Sequence, residues 1–162
     1  MNIKSKNGID IKDVWGDSIK TYLGMLVHGF PNCFLGYSPQ GMFLNIEIML
    51  TAAPTAFSNG PTILECQVDF IVDAIAKMET ENLQTIEPTA EAEQDWGTMI
   101  TDDGNQTLFA ETDSWWNRAN IPGQPRQILT YIRGIGSYEP QCRATLDGWK
   151  GFDVRRSRTS RI

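Results

Sequence analysis

One histidine, His28, and three cysteines, Cys33, Cys66 and Cys142, are all the imidazole and thiol in the 162 residues of this sequence. One imidazole cannot build a histidine-rich metal site. Three isolated thiols give neither an even disulfide framework nor a Cys-x-x-Cys pair for zinc or redox chemistry, so buried free thiols in a reducing compartment are expected. His28 leaves one candidate base for a nucleophilic triad, but "VHGFPN" sets it at the end of an apolar run, where a structural role is the expectation. No stretch approaches the roughly eighteen uninterrupted apolar residues of a membrane helix. The start, "MNIKSKNGIDIKDVW", lacks the apolar core and small-residue cleavage site of a secretory signal. A cytoplasmic location is expected, with the loose likeness of Ser160, Arg161 and Ile162 to a Ser-Lys-Leu peroxisomal address as the alternative.

Nucleotide fingerprints are also missing. "GIGSYE" at 134–139 lacks a third glycine, is followed by Pro140 and leaves no room for a βαβ unit, and no phosphate loop or nucleophile elbow occurs elsewhere. The net charge is −6, although "RRSRTSRI" at the end holds four arginines and no acid. An acidic body without aromatic or glycine-rich patterning beside that tail argues against a nucleic-acid partner, and a solvated tail is expected.

What is present suits a soluble domain: 41% hydrophobic and 21% charged residues, in a chain long enough for a core. The apolar runs Leu23 to Val27 and Cys33 to Leu35 read as buried strand segments broken by Gly29 and Pro31. After a turn-rich loop, Pro61 suits a helix start, and Leu64, Val68, Ile71, Val72, Ile75 and Met78 recur at helical spacing. "TAEAEQDWGTMI" (89–100) predicts a second, exposed helix with a solvated charged face. Loop follows from 105 to 123, with Trp115 and Trp116 either covering a core edge or closing over a ligand. "RQILTYI" reads as a strand, and "SYEPQCRATLDGWKGF" as a short helix with an aromatic end.

In order along the chain, "TYLGMLVHGFPNCF", "APTAFSNGP", "SWWNRANIPGQPR" and "GWKGFDV" resemble the C-terminal part of Baeyer–Villiger monooxygenases, over Ile9 to Val154. The resemblance implies an α/β fold, the C-terminal fragment of a flavoprotein whose two dinucleotide-binding, Rossmann-like domains hold FAD and NADPH. It implies partners in a ketone and molecular oxygen, converted to an ester or lactone, with neither nucleic acid nor membrane. The glycine-rich fingerprints and the arginine at the reaction centre lie N-terminal to the part represented, so no catalytic residue is assigned and the fragment alone is expected to be inactive. The rival readings are a non-enzymatic gene-fragment product or interaction module, and an amine- or sulfur-oxidising flavin monooxygenase, against which "SWWNRANIPG" argues.

Residue by residue, Pro54, Thr55, Ala56, Phe57, Ser58, Asn59 and Gly60 match the family segment that lines the substrate pocket and meets the flavin. Trp115 and Asn120 match the NADP-contacting mobile loop. That loop departs from the family at Arg118, where relatives commonly have glycine, and at Gln124, where they have lysine. The implied division is 1–86 for the end of the FAD-binding domain, 87–154 for a C-terminal segment with the cofactor-covering loop, and 155–162 for a basic tail. Residues Gly41 to Ala52 are surplus to the family string. Their codons can hold a fungal 5′ splice consensus at Gly-Met-Phe, a branch-point core at Leu-Thr and a terminal AG at Ala52–Ala53, and their removal restores "PQAPTAFSNGP". A retained intron in a fungal gene is the expectation, and a genuine loop insertion the alternative.

Overall fold

The computed structural model describes residues 3–16, 18–36, 60–113, 117–119 and 122–156. The insertion at 41–52, Pro54 to Asn59, Trp115, Asn120 and the end of the basic tail lie outside the described residues.

Helix α1 (Ile11–Trp15) starts at Asp10, whose carboxylate accepts the Lys12 N–H, and stops at Gly16 with φ 37°. Pro61 lies in the first turn of α2 (Gly60–Thr80). Strand β1 (Leu83–Pro88) follows at once, and Thr89 then caps α3 (Ala90–Asn105) by accepting the Ala92 N–H. A short 3-10 turn (Leu108–Glu111) leads into the loop. Helix α4 (Ile135–Leu146) and a second 3-10 turn (Asp147–Trp149) deliver strand β2 (Phe152–Arg156) back to β1.

The two strands pair antiparallel, with Ile86 opposite Val154 and Pro88 opposite Phe152. Asn32 extends this ladder: its backbone N–H donates to Ile86 O, its side-chain oxygen accepts the Ile86 N–H, and its amide donates to Gln84 O. One residue thus occupies the polar groups that a third strand would otherwise satisfy.

Several sequence expectations change. Leu23 to Val27 is no strand: Tyr22 and Leu26 form one isolated bridge around a buried turn in which Leu23 (φ 57°) and Gly24 (φ 66°) are left-handed. Cys33 to Leu35 and "RQILTYI" also lack strand pairing. Leu23 to Val27 and Ile128 to Tyr131 are buried because they fill the core, Cys33 to Leu35 are half-buried against it, and short apolar runs carry no period that separates strand from buried loop. The face of α3 is not wholly solvated, since Glu93, Trp96, Ile100 and Gly104 are buried. Arg155 and Arg156, the first residues of the basic tail, belong to β2.

The main core joins Tyr22, Leu26, Phe70, Ile86, Trp96, Tyr131, Tyr138 and Phe152. Trp96 stacks on Tyr131 at 5.5 Å, and Tyr138 meets Tyr131 edge-on at 5.5 Å. The Tyr138 hydroxyl donates to Leu23 O at 2.7 Å and accepts from Gln67 at 3.1 Å, so this phenol is both packed and satisfied.

Candidate functional site

Two places in the described structure belong to the sequence-derived site. The first is the start of α2. Gly60 opens the helix, and no acidic residue stands in its first turn, so the positive end of the helix dipole is not neutralised from within that turn. Gly36 lies against Leu64: a Cβ at Gly36 would come 3.8 Å from its Cδ1. Gly36 and the second turn of α2 are thus neighbours in the fold.

The second place is the loop after the 3-10 turn. Asn117 organises it: its amide donates to Thr112 O at 2.6 Å, its side-chain oxygen accepts the Ala119 N–H, and its carbonyl accepts the Gln127 N–H. Arg118 is 4% exposed with φ 60°. Its guanidinium donates to Gln124 at 2.5 Å and to Gln127 at 3.4 Å. Gln127 in turn accepts the Ile19 N–H at 2.9 Å and donates to Ile19 O at 2.7 Å, which fastens the loop to the N-terminal segment. Arg126 pairs with Asp113 on the loop's outer side. The flanks of Trp115 and Asn120 are thus held by a polar network that sequence reading did not find. Asn, Arg and Gln on a loop carry no periodic signal, and their partners lie up to 108 positions away.

Gln127 also borders a hollow of about 280 Å³ between α3 and the N-terminal segment, with Lys20, Glu93, Gln94, Thr98 and Asp102 on its walls. Burial pushes the Glu93 carboxyl above its ordinary value, while the His28 N–H, donating to it at 2.8 Å, pulls the other way. The His28 ring lies with Nδ1 2.9 Å from Pro88 O, consistent with a structural histidine.

No group of three or more His, Cys, Asp or Glu side chains among the described residues could hold a metal. Burial pushes the Cys142 thiol to about 12 and raises Cys33 and Cys66, so none is poised as a thiolate. No helix among the described residues is long and apolar enough to cross a membrane.

No protein-family model matches the chain. Among curated proteins it is 31% identical over 155 residues to a cyclopentanone 1,2-monooxygenase of Comamonas sp., covering 95% of this chain and 26% of that protein. To a Baeyer-Villiger monooxygenase of Pseudooceanicola batsensis it is 35% identical over 138 residues, 85% of this chain and 23% of that protein. Among solved structures, cyclohexanone monooxygenase from Rhodococcus sp. Phi1 bound to NADP+ superposes with a TM-score of 0.81 at 34% identity, over 97% of this chain and 27% of that one. Oxidized steroid monooxygenase bound to NADP gives 0.80 at 26% identity, over 96% and 26%. The chain spans about a quarter of the length of the relatives it matches. With similarity of sequence and of fold running along nearly all of it, the chain belongs to the Baeyer–Villiger monooxygenase family.

Proposed function

We propose that the chain is the C-terminal part of an FAD- and NADPH-dependent cytoplasmic monooxygenase that inserts an oxygen atom into ketones to give esters or lactones. The observation that carries this reading is the 31–35% identity along almost the whole chain to enzymes of this chemistry. The flavin, when bound, supplies the redox chemistry with molecular oxygen. The chain's own residues position. Residues Pro54 to Gly60 form one wall of the ketone pocket and hand over to the start of α2, whose positive dipole end, with no acidic residue in its first turn, suits an electron-rich ring. Trp115 and Asn120 meet NADPH from a loop whose ends are fixed by Asn117 and Arg118. Residues 1–86 complete the FAD-binding domain, and 87–154 form the cofactor-covering segment. The pyrophosphate sites come from the rest of the enzyme, so this chain alone does not turn over substrate.

The experiment fuses the upstream three-quarters of the Comamonas cyclopentanone monooxygenase to this chain, with and without residues 41–52. The fusion lacking them is expected to consume NADPH and form a lactone from cyclopentanone, and the one retaining them is not, because a shift of roughly 1 Å in pocket residues can cost on the order of a hundredfold in rate. The isolated chain is expected to emerge colourless from gel filtration after incubation with FAD. A yellow isolated chain with stoichiometric flavin, or a lactone-free fusion that retains its flavin, overturns the reading.

A further inference from the structure

The hollow beside α3 carries three charged side chains on its walls, Lys20, Glu93 and Asp102, and none of them forms an ion pair among the described residues. The Lys20 ammonium donates to a neutral amide instead, Gln94 Oε1, at 3.1 Å. Buried charges are as a rule paired or hydrogen-bonded on every side. Glu93 is 8% exposed, yet only its Oε1 has a partner, the His28 N–H, while Oε2 has none among the described residues and stays open to the hollow. Gly97 is the second unusual wall. It stands in the interior of α3, where glycine is the poorest helix former after proline, and a Cβ there would meet nothing within 4 Å. Its missing side chain deepens the hollow between Glu93 and Thr101, which lie four residues to either side on the same face. Ile19 and Gln127, the pair that fastens the loop to the N-terminal segment, complete the walls. At about 280 Å³ the space is close to the lower end of the range for small-molecule sites, roughly 300–1,000 Å³.

We infer that this hollow binds a small zwitterion of the α-amino-acid type, its ammonium on Glu93 and its carboxylate on Lys20. The site is independent of the ketone chemistry assigned to the chain. Lys20 reaches Gln94, the residue next to Glu93 in the helix, so the acid and the base stand at one end of the hollow without pairing, and Asp102 stands about two and a half turns further on. An α-amino acid carries both of the missing charges on one carbon. A plain amine would answer Glu93 but set a second ammonium near Lys20, and a plain carboxylate would answer Lys20 but face two acids. A ligand with both signs leaves neither wall unanswered. Its side chain takes the space over Gly97 and is short and aliphatic, because the Thr98 and Thr101 hydroxyls already donate to the helix carbonyls Gln94 O and Gly97 O.

The test is an amide-resolved NMR titration of the 162-residue chain with L-norvaline, and with the two compounds that keep one of its charges each, butylamine and pentanoate. Saturable shifts at the Gly97 backbone amide and at the Gln94 and Gln127 side-chain amides are expected with L-norvaline, at a Kd of about a millimolar or below. Butylamine and pentanoate are each expected to bind at least about tenfold more weakly, since a hydrogen bond to a charged group is worth that factor or more. Gly97→Met fills the hollow from a helix-compatible position and is expected to abolish the shifts. Glu93→Gln keeps an oxygen for the His28 N–H, loses the charge, and is expected to weaken L-norvaline binding about tenfold. The absence of saturable shifts overturns the inference, and so does butylamine or pentanoate binding as tightly as L-norvaline, because one charge then suffices. Unchanged binding in a folded Gly97→Met variant puts the ligand elsewhere and overturns it too. Glu93→Gln decides alone if Gly97→Met does not fold, and unchanged binding there has the same consequence.

Discussion

Arg118 reaches across the Pro-Gly turn to donate to the Gln124 side chain at 2.5 Å, joining the two positions at which this loop departs from the glycine and lysine of the family resemblance. The departures answer each other. A lysine at 124 would bring an ammonium against the guanidinium and remove its acceptor. A side chain at 118 accepts left-handed backbone, φ 60°, which glycine would adopt freely. The loop therefore gives up local conformational ease for a buried strut.

The opposing effects are separable. Arg118→Ala keeps the strained backbone and loses the charged hydrogen bonds, at a cost of about 2 kcal/mol or more. Arg118→Gly loses the same bonds but relieves the left-handed strain, so it is expected to be about 1 kcal/mol more stable than the alanine variant. Urea unfolding of both proteins checks the order. Equal stabilities would mean that the backbone at 118 relaxes in the alanine variant.

The backbone at Gly151 lies directly against an aromatic side chain. A Cβ there would lie 2.6 Å from the Tyr22 hydroxyl oxygen, 2.8 Å from its Cζ and 2.9 Å from the Ala92 Cβ, at φ 78°. Overpacking and left-handed strain together put Gly151→Ala at about 2–5 kcal/mol of destabilisation. Gly148 supplies the control, since it has φ 71° and nothing within 4 Å of an added Cβ, so Gly148→Ala carries the strain alone, about 1 kcal/mol. Thermal melts of the two variants should differ clearly, and coincident melts would show that Tyr22 moves aside without cost.

Helix α2 shows how far the sequence was legible. The spacing of Leu64, Val68, Val72 and Ile75 identifies a helix, and the helix is there, yet these four are its exposed side chains while Ile63, Gln67, Phe70 and Ala74 fill the core. A period reports that a face is apolar and is silent on which layer covers it. Pro61 and Thr89 mark two helix starts because proline and threonine act locally. The β1–β2 pair was not legible, since Leu83–Pro88 ends in proline and its partner lies some seventy residues on. Asn117, Arg118 and Gln127 were equally hidden, each being polar on a loop with its meaning in distant partners. The solvated charged face expected of α3 misses the burial of Glu93, because helix propensity and charge say nothing about a hollow closed by another segment.

That buried carboxylate makes the last prediction. Glu93 is 8% exposed, and burial raises its pKa from the ordinary 4.5, against the opposing pull of the His28 N–H, the His28 ring and Lys20. A raised acid holds its proton in the folded state at pH values where the unfolded chain has released it. Its contribution to stability is therefore fully present below pH 4.5 and is lost as pH rises from there through the folded value. Glu93→Gln keeps an oxygen to accept the His28 N–H at 2.8 Å and cannot ionise. Subtracting the variant's unfolding free energy from that of the unchanged protein, pH by pH between 4 and 6, removes the other carboxylates from the comparison. The difference is expected to shift steadily in the variant's favour as pH rises. A flat difference would mean that the carboxylate ionises in the hollow as readily as in water. A shift in the other direction would mean that His28 and Lys20 outweigh its burial.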